Sequence, residues 1–382
     1  MEQNEHARLM PSAAGITVKC AGSVQAQEKY PQEETDSTKE GTAVHWVIAS
    51  VLDSYSNGPL RTVNDYLGKT APNGIMITEE MTEAAYEYVY DVLKLCNTFG
   101  ILSTLQVERR TKAGVIHADN WGTPDATAFH PATNTLYLWD FKYGHLYVDV
   151  YECWQLLNYA IILTNGMRDD TKIVMRIIQP RCFSAEPVRE WSITVGELRP
   201  YRNRLEMAFI EALSEHPTIN SGSHCKYCSA RRACKAALRS SEASMDFALN
   251  LTDGIRELSD EDLGTLLNKL TRALESIELI KSGIEEAATC RLKIGKHILG
   301  WQLKEKKGRT IWKKSPAEII ELGKMFGIDL KKPDSVITPK QAADKGIDGA
   351  VIDAYSNTPS KGLKLDKDDG TKAKQVFTQP RG

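Results

Sequence analysis

Asp125, Asp140 and Lys142 lie within one short stretch, GTPDATAFHPATNTLYLWDFK, from Gly122 to Lys142. Pro124-Asp125 opens a strand-like run, and Asp140 and Lys142 close the next apolar run, Leu136 to Trp139, after a Pro-Ala-Thr-Asn turn. Residues two apart on a strand share a face, so Asp140 and Lys142 stand side by side, and a hairpin carries Asp125 close to Asp140. Two carboxylates at a strand end suit Mg²⁺ or Mn²⁺, because hard cations prefer oxygen ligands, and the Phe141 carbonyl offers another. An adjacent lysine can orient or help deprotonate an attacking water and counter the charge of a phosphate. Such a set suits metal-assisted phosphodiester hydrolysis. The same residue types also fill ordinary solvated turns, so the flanking elements have to decide between the two.

Residues 37–56 read as a helix: Ser37 or Thr38 can cap it, and Val44, Val47, Ile48, Val51 and Leu52 form an apolar stripe at helical spacing. A second helix is expected over 78–98. Strand-like segments follow, first TLQVERRTK, which carries Glu108 as a secondary acidic candidate, then the two arms around the Pro-Ala-Thr-Asn turn. Helix returns from about Val150 to Thr164, then KIVMRIIQP and EWSIT read as strands and VGELRPYRNRLEMAFIEALSE as a helix. This order predicts an α/β core with a mixed central sheet flanked by helices. Beyond it, residues 258–293 read as one long amphipathic helix or a hairpin of two. Residues 296–314 read as a small β-hairpin with Lys and Arg at its turn, and short helices run to about Ala354. The expected domains are 1–245, a mainly α region with the hairpin over 246–355, and a polar, disordered tail over 356–382.

Three motifs on these elements carry a resemblance. Pro124-Asp125, fourteen residues, then Asp140-Phe141-Lys142 resembles the PD-(D/E)xK nuclease signature. EGTAVH, Glu40 to His45, resembles the helix motif of the RecB-like branch, where a glycine precedes a metal-binding histidine by four residues. QLLNYA, Gln155 to Ala160, resembles the Q-x-x-x-Y motif on the helix after the lysine strand, and Gln155 and Tyr159 share one helical face. The resemblance covers roughly residues 10–240 and implies a restriction-endonuclease-like core. It implies that His45, Asp125, Asp140 and the Phe141 carbonyl hold Mg²⁺ or Mn²⁺. Lys142 would position the water, and Gln155 and Tyr159 would steady the substrate.

HCKYCSARRAC places Cys225, Cys228 and Cys234 within ten residues, and a tetrahedral site needs four ligands. His224 is poorly placed beside Cys225. In the iron–sulfur branch of RecB-like nucleases one cysteine precedes the nuclease core and three follow it, as Cys20, Cys225, Cys228 and Cys234 do here. The resemblance therefore implies a structural [4Fe–4S] cluster, with Zn²⁺ as the alternative, since thiolates suit both. Cys96, Cys153, Cys182 and Cys290 read as core or neutral positions. Arg231 and Arg232 inside the cysteine loop are candidates for contact with DNA. So are Lys306, Lys307 and Arg309 in the basic hairpin, where Trp301 and Trp312 are interleaved, although tryptophans packed beneath a hairpin would give the same pattern.

Composition sets the bounds. At 42% hydrophobic and 26% charged residues the chain is globular in type, and no apolar run suits a membrane span or signal peptide, so a cytoplasmic protein is expected. Residues 291–340 hold thirteen Lys/Arg against five Asp/Glu, a local basic surface suited to a polyanion or simply a solvated face. The expected function is a metal-dependent DNA exonuclease acting on DNA ends. By resemblance it would serve phage recombination or DNA processing in the host cytoplasm, beside a single-strand annealing protein. The contrasting expectations are a non-catalytic DNA-binding or assembly protein and an inhibitor of host defence, each on the same scaffold.

Overall fold

The structure is a computed structural model that describes residues 7–31, 34–55, 57–182, 185–249, 259–307, 311–312, 314, 316–332, 335–336, 338–357 and 360–367. Two short helices, α1 (Ala14–Lys19) and α2 (Ser23–Lys29), precede α3 (Asp36–Ser54) and α4 (Glu79–Phe99). α3 starts where Thr35 Oγ1 accepts from Thr38 N–H, two residues before Ser37, the first of the expected caps. α4 begins at the Thr78 cap with Glu79 and Glu80 in its first turn, where the helix dipole favours acids, and ends at left-handed Gly100.

The sheet comprises β1 (Gln106–Val107), β2 (Ala126–His130), β3 (Thr135–Phe141), β4 (Lys172–Ile178) and β5 (Val188–Thr194), paired in that order. Only β3 and β4 run parallel, joined through α5 (Trp154–Leu163); the other pairs are antiparallel. β3 is buried at every position because both faces of the sheet are covered. Tyr137, Trp139 and Phe141 join the core of α3 and α4, whereas Leu138, Ile173, Met175 and Ile177 join that of α5 and α6 (Arg199–Ala212). Each such side chain contributes roughly 1.5–3 kcal/mol on burial. On the α4 side Arg176 makes two bonds to Asp91, 2.7 and 3.0 Å, and Asp91 also accepts from Trp139 Nε1 at 3.0 Å. The α/β core with a mixed, helix-flanked sheet is the one the periodicity predicts.

Residues 260–293 form one helix, α8 (Asp260–Lys293), preceded by α7 (Lys235–Leu249). The chain divides into compact units Met1–Lys281 and Ser282–Gly382, inside α8, whereas the expected boundary at 245 falls inside α7. The second unit corrects two expectations. Among the described residues, the arms of the expected hairpin, β6 (Trp301–Lys307) and β7 (Ile311–Trp312), do not pair with each other. β8 (Lys331–Lys332) pairs with β9 (Ser335–Val336), β7 with β10 (Ser356–Asn357) and β6 with β11 (Ser360–Lys367), so the segment expected as a disordered tail begins as two strands. Trp312 packs on a small core that includes Ile319, Leu330 and Ile352.

Candidate metal site

Pairing delivers the site's carboxylates. Ala126 lies opposite both Val107 and Trp139, so Glu108, just after β1, and Asp140, near the end of β3, flank Asp125. The Asp125 carbonyl accepts from Glu108 N–H at 3.1 Å, and its Oδ2 accepts from Phe141 N–H at 2.6 Å. Glu108 takes a left-handed φ of 46°, uncommon for a residue with a side chain. α3 brings in His45, whose Nδ1 lies 3.3 Å from Asp125 Oδ1 and whose ring meets Phe141 edge-on. One ligand atom each of His45, Glu108 and Asp125 lie within 4.8 Å of one another. The sequence marked His45 and Asp125 for this role and Glu108 only as a secondary candidate; its place beside Asp125 comes from strand pairing.

Asp140 faces a different set. Its Oδ1 accepts from Gln155 Nε2 at 2.9 Å, and Lys142 Nζ lies 3.2 Å from Oδ1 and 2.9 Å from Oδ2. Lys142 Nζ also donates to Gln155 Oε1 at 2.9 Å, closing a three-membered network between β3 and α5. Tyr159, one turn beyond Gln155, donates to the Thr123 carbonyl at 3.0 Å and so props the turn that carries Asp125. Gly122 is required there: an added Cβ would meet Pro11 Cγ at 2.8 Å and Tyr159 Cε1 at 2.9 Å.

Electrostatics separates the carboxylates. Burial works against the Asp125 anion, but His45, the Phe141 N–H and Lys142 outweigh it and hold its pKa low. Burial dominates at Asp140 and, with the Asp125 charge, raises its pKa against the pull of Lys142. Burial and Asp125 push Glu108 up to about 7, with His45 opposing. Burial disfavours the charged forms of His45 and Lys142, but Asp125 and Asp140 respectively prevail and raise both pKa values. His45, Glu108 and Asp125 together form a donor set that a divalent cation fits, through oxygen and nitrogen ligands.

The cysteines gather at a second place in this unit. Cys20 follows α1, and two short turns, Ser223–Tyr227 and Ser229–Ala233, present Cys225, Cys228 and Cys234. All four line one cavity of about 440 Å³. Burial raises the pKa of Cys20, Cys225 and Cys228, and neighbouring thiols add to it. The N-terminal segment is stitched to this loop: Asn220 N–H donates to Cys20 Sγ at 3.4 Å, and Gly22 N–H to the Thr218 carbonyl at 2.9 Å. An added Cβ at Gly22 would come within 2.5 Å of Ile219 Cγ1. His224 Nε2 lies 3.1 Å from the Asn220 carbonyl and 3.8 Å from Cys225 Sγ. Arg231 turns inward, donating to the Cys228 carbonyl, and Arg232 sits over the Tyr30 ring. Arg309 and the side chains of Lys306 and Lys307 lie outside the described residues.

Solved structures similar to this chain include these two. One, provisionally described as an exonuclease from Eubacterium rectale, is 12% identical with a TM-score of 0.35, covering 56% of this chain and 85% of that one. The other, SSO0001, is 16% identical with a TM-score of 0.23, covering 50% and 95%. The family model described as "Protein of unknown function (DUF2800)" matches residues 6–332.

Proposed function

The chain belongs to the DUF2800 family, and for it we propose a metal-dependent deoxyribonuclease that acts on DNA ends. The observation that carries this reading is the trio His45, Glu108 and Asp125 set beside the Lys142–Asp140–Gln155 network. The trio supplies imidazole and carboxylate donors for Mg²⁺ or Mn²⁺, and Asp140 and the Phe141 carbonyl are the further donors expected at the end of β3. A bound cation would supply Lewis acidity for the phosphodiester and acidify a water.

The chain's own groups do the rest. Water attacks phosphorus and releases its proton to solvent, the bond from phosphorus to the leaving ribose oxygen breaks, and that oxygen takes up a proton from solvent. One proton thus passes in balance from the water to the leaving alcohol. Lys142, held charged by Asp140, orients the water and counters the gathering phosphate charge; its raised pKa makes it unsuited to accept the water's proton. Gln155 fixes both partners, and Tyr159 acts through the Thr123 turn as a positioning residue. Asp140→Asn and Lys142→Gln should each lower cleavage by about 10²–10⁴-fold in folded protein. Near-normal cleavage by either rejects the assignment of these residues, whereas no cleavage by folded wild type with either metal favours a non-catalytic DNA-binding scaffold.

We propose further that Cys20, Cys225, Cys228 and Cys234 hold a structural [4Fe–4S] cluster. A tetrahedral zinc site at about 2.3 Å per Zn–S bond brings thiolates to about 3.8 Å from one another. No three of these four sulfurs lie within 4.8 Å of one another, and they line an open cavity, which favours the larger group. DNA end processing in phage recombination, beside an annealing protein, is the setting the family resemblance suggests.

A further inference from the structure

Arg110 lies over the Trp121 ring at 3.4 Å from its centroid, joining two segments that both lead into the candidate metal site. Arg110 follows Glu108 by two residues, at most about 7 Å of extended chain, and Trp121 precedes Asp125 by four. The segments are staked together: Thr111 N–H and Oγ1 both approach the Gly122 carbonyl, at 2.8 and 3.0 Å, and Gly122 N–H donates to Thr111 Oγ1 at 3.0 Å. The Arg110–Trp121 stack is therefore held rigidly relative to the metal trio.

Neither residue is explained by the fold. Among the described residues Trp121 packs with neither of the two cores beside the sheet, and it is only partly buried. Arg109, Arg110 and Lys112 are exposed and, among the described residues, none has a carboxylate within ion-pair distance. Three unneutralised cations within four residues, with a half-exposed indole, match a ligand that is both polyanionic and aromatic. A bare phosphate needs no indole, and paired bases keep their faces stacked inside the duplex.

Resting on the nuclease reading of the neighbouring site, we propose that Arg109, Arg110, Lys112 and Trp121 anchor a single-stranded stretch of DNA. Its phosphates lie against the three cations and one base stacks on the Arg110–Trp121 layer. The anchor would hold the strand being cut, so that an unpaired end, rather than an intact duplex, enters the site.

The test is fluorescence anisotropy of full-length protein, without added divalent cation, on a labelled single strand, the same strand with abasic sites, and its duplex. Trp121→Ala should weaken single-strand binding roughly 5- to 150-fold, the range of base–aromatic stacking, and leave abasic-strand binding unchanged. Trp121→Phe should restore most of the affinity. Arg109→Ala and Arg110→Ala should each reduce the slope of log K against log salt by about 0.7. Equal binding by Trp121→Ala and wild type, equal losses on all three DNAs, or no single-strand binding by wild type would overturn the anchor. Single-strand binding with this pattern but no cleavage in Mg²⁺ or Mn²⁺ would keep the anchor and remove the nuclease reading. Cleavage with unaltered Trp121→Ala binding would do the reverse.

Discussion

Lys142 donates to Gln155 Oε1 at 2.9 Å while Gln155 Nε2 donates to Asp140 Oδ1 at the same distance, so one amide fixes both members of a partly buried ion pair. Gln155 therefore belongs to the machinery as a positioning residue. Gln155→Ala should lower the cleavage rate while leaving thermal unfolding little changed, because Lys142 and Asp140 remain paired. Gln155→Glu places an acid against Asp140 Oδ1 and should be worse than Ala. Stopped-flow cleavage beside a melting curve checks both; equal rates for the three proteins contradict the role.

Glu108 gives a pH signature. Its pKa is raised from an ordinary carboxylate value to about 7 by burial and the Asp125 charge, so the metal-free folded state holds a proton the unfolded chain has released. That contribution to stability is present at low pH and is lost as pH rises through about 7. Cation affinity should run the other way, rising as Glu108 deprotonates. Glu108→Gln should flatten the stability change in this window and weaken Mn²⁺ binding. Chemical denaturation across pH and calorimetric Mn²⁺ titration check the two halves.

Gly122 makes the Thr123 turn possible. Gly122→Ala would force Pro11 or Tyr159 aside, with an expected cost of about 1–3 kcal/mol for overpacking. Tyr159→Phe removes only the bond to Thr123, an expected cost of about 0.5–1.5 kcal/mol. Activity should fall in both, more in Gly122→Ala. Denaturant melts and cleavage rates on the same samples check the order.

The cysteine cavity predicts a colour. Protein purified without oxygen should be brown with broad visible absorbance, and Ser at Cys20, Cys225, Cys228 or Cys234 should bleach it and destabilise the fold. A colourless protein carrying stoichiometric zinc contradicts the iron–sulfur assignment.

Legibility in the sequence followed the range of the signal. The Val44–Leu52 stripe marks α3, and the Pro-Ala-Thr-Asn turn marks the β2–β3 hairpin, because both patterns are local. Spacing likewise predicts Gln155 and Tyr159 on one face of α5, but not that Tyr159 would brace Thr123. Glu108 reaches Asp125 only through β1–β2 pairing, and Asp91 meets Arg176 across 85 positions, which no periodicity encodes. β6 resembles half of a hairpin because its basic sequence alternates; its partner β11 lies more than fifty residues on, and nothing local marks the pairing.

The central claim is tested most directly by digesting end-labelled linear and closed circular DNA with Mg²⁺, with Mn²⁺ and with chelator, using wild type and Asp140→Asn. The account predicts loss of the linear DNA only with wild type and a divalent cation, with circles spared. Undiminished digestion in chelator, or none by cluster-intact protein with either metal, would contradict it.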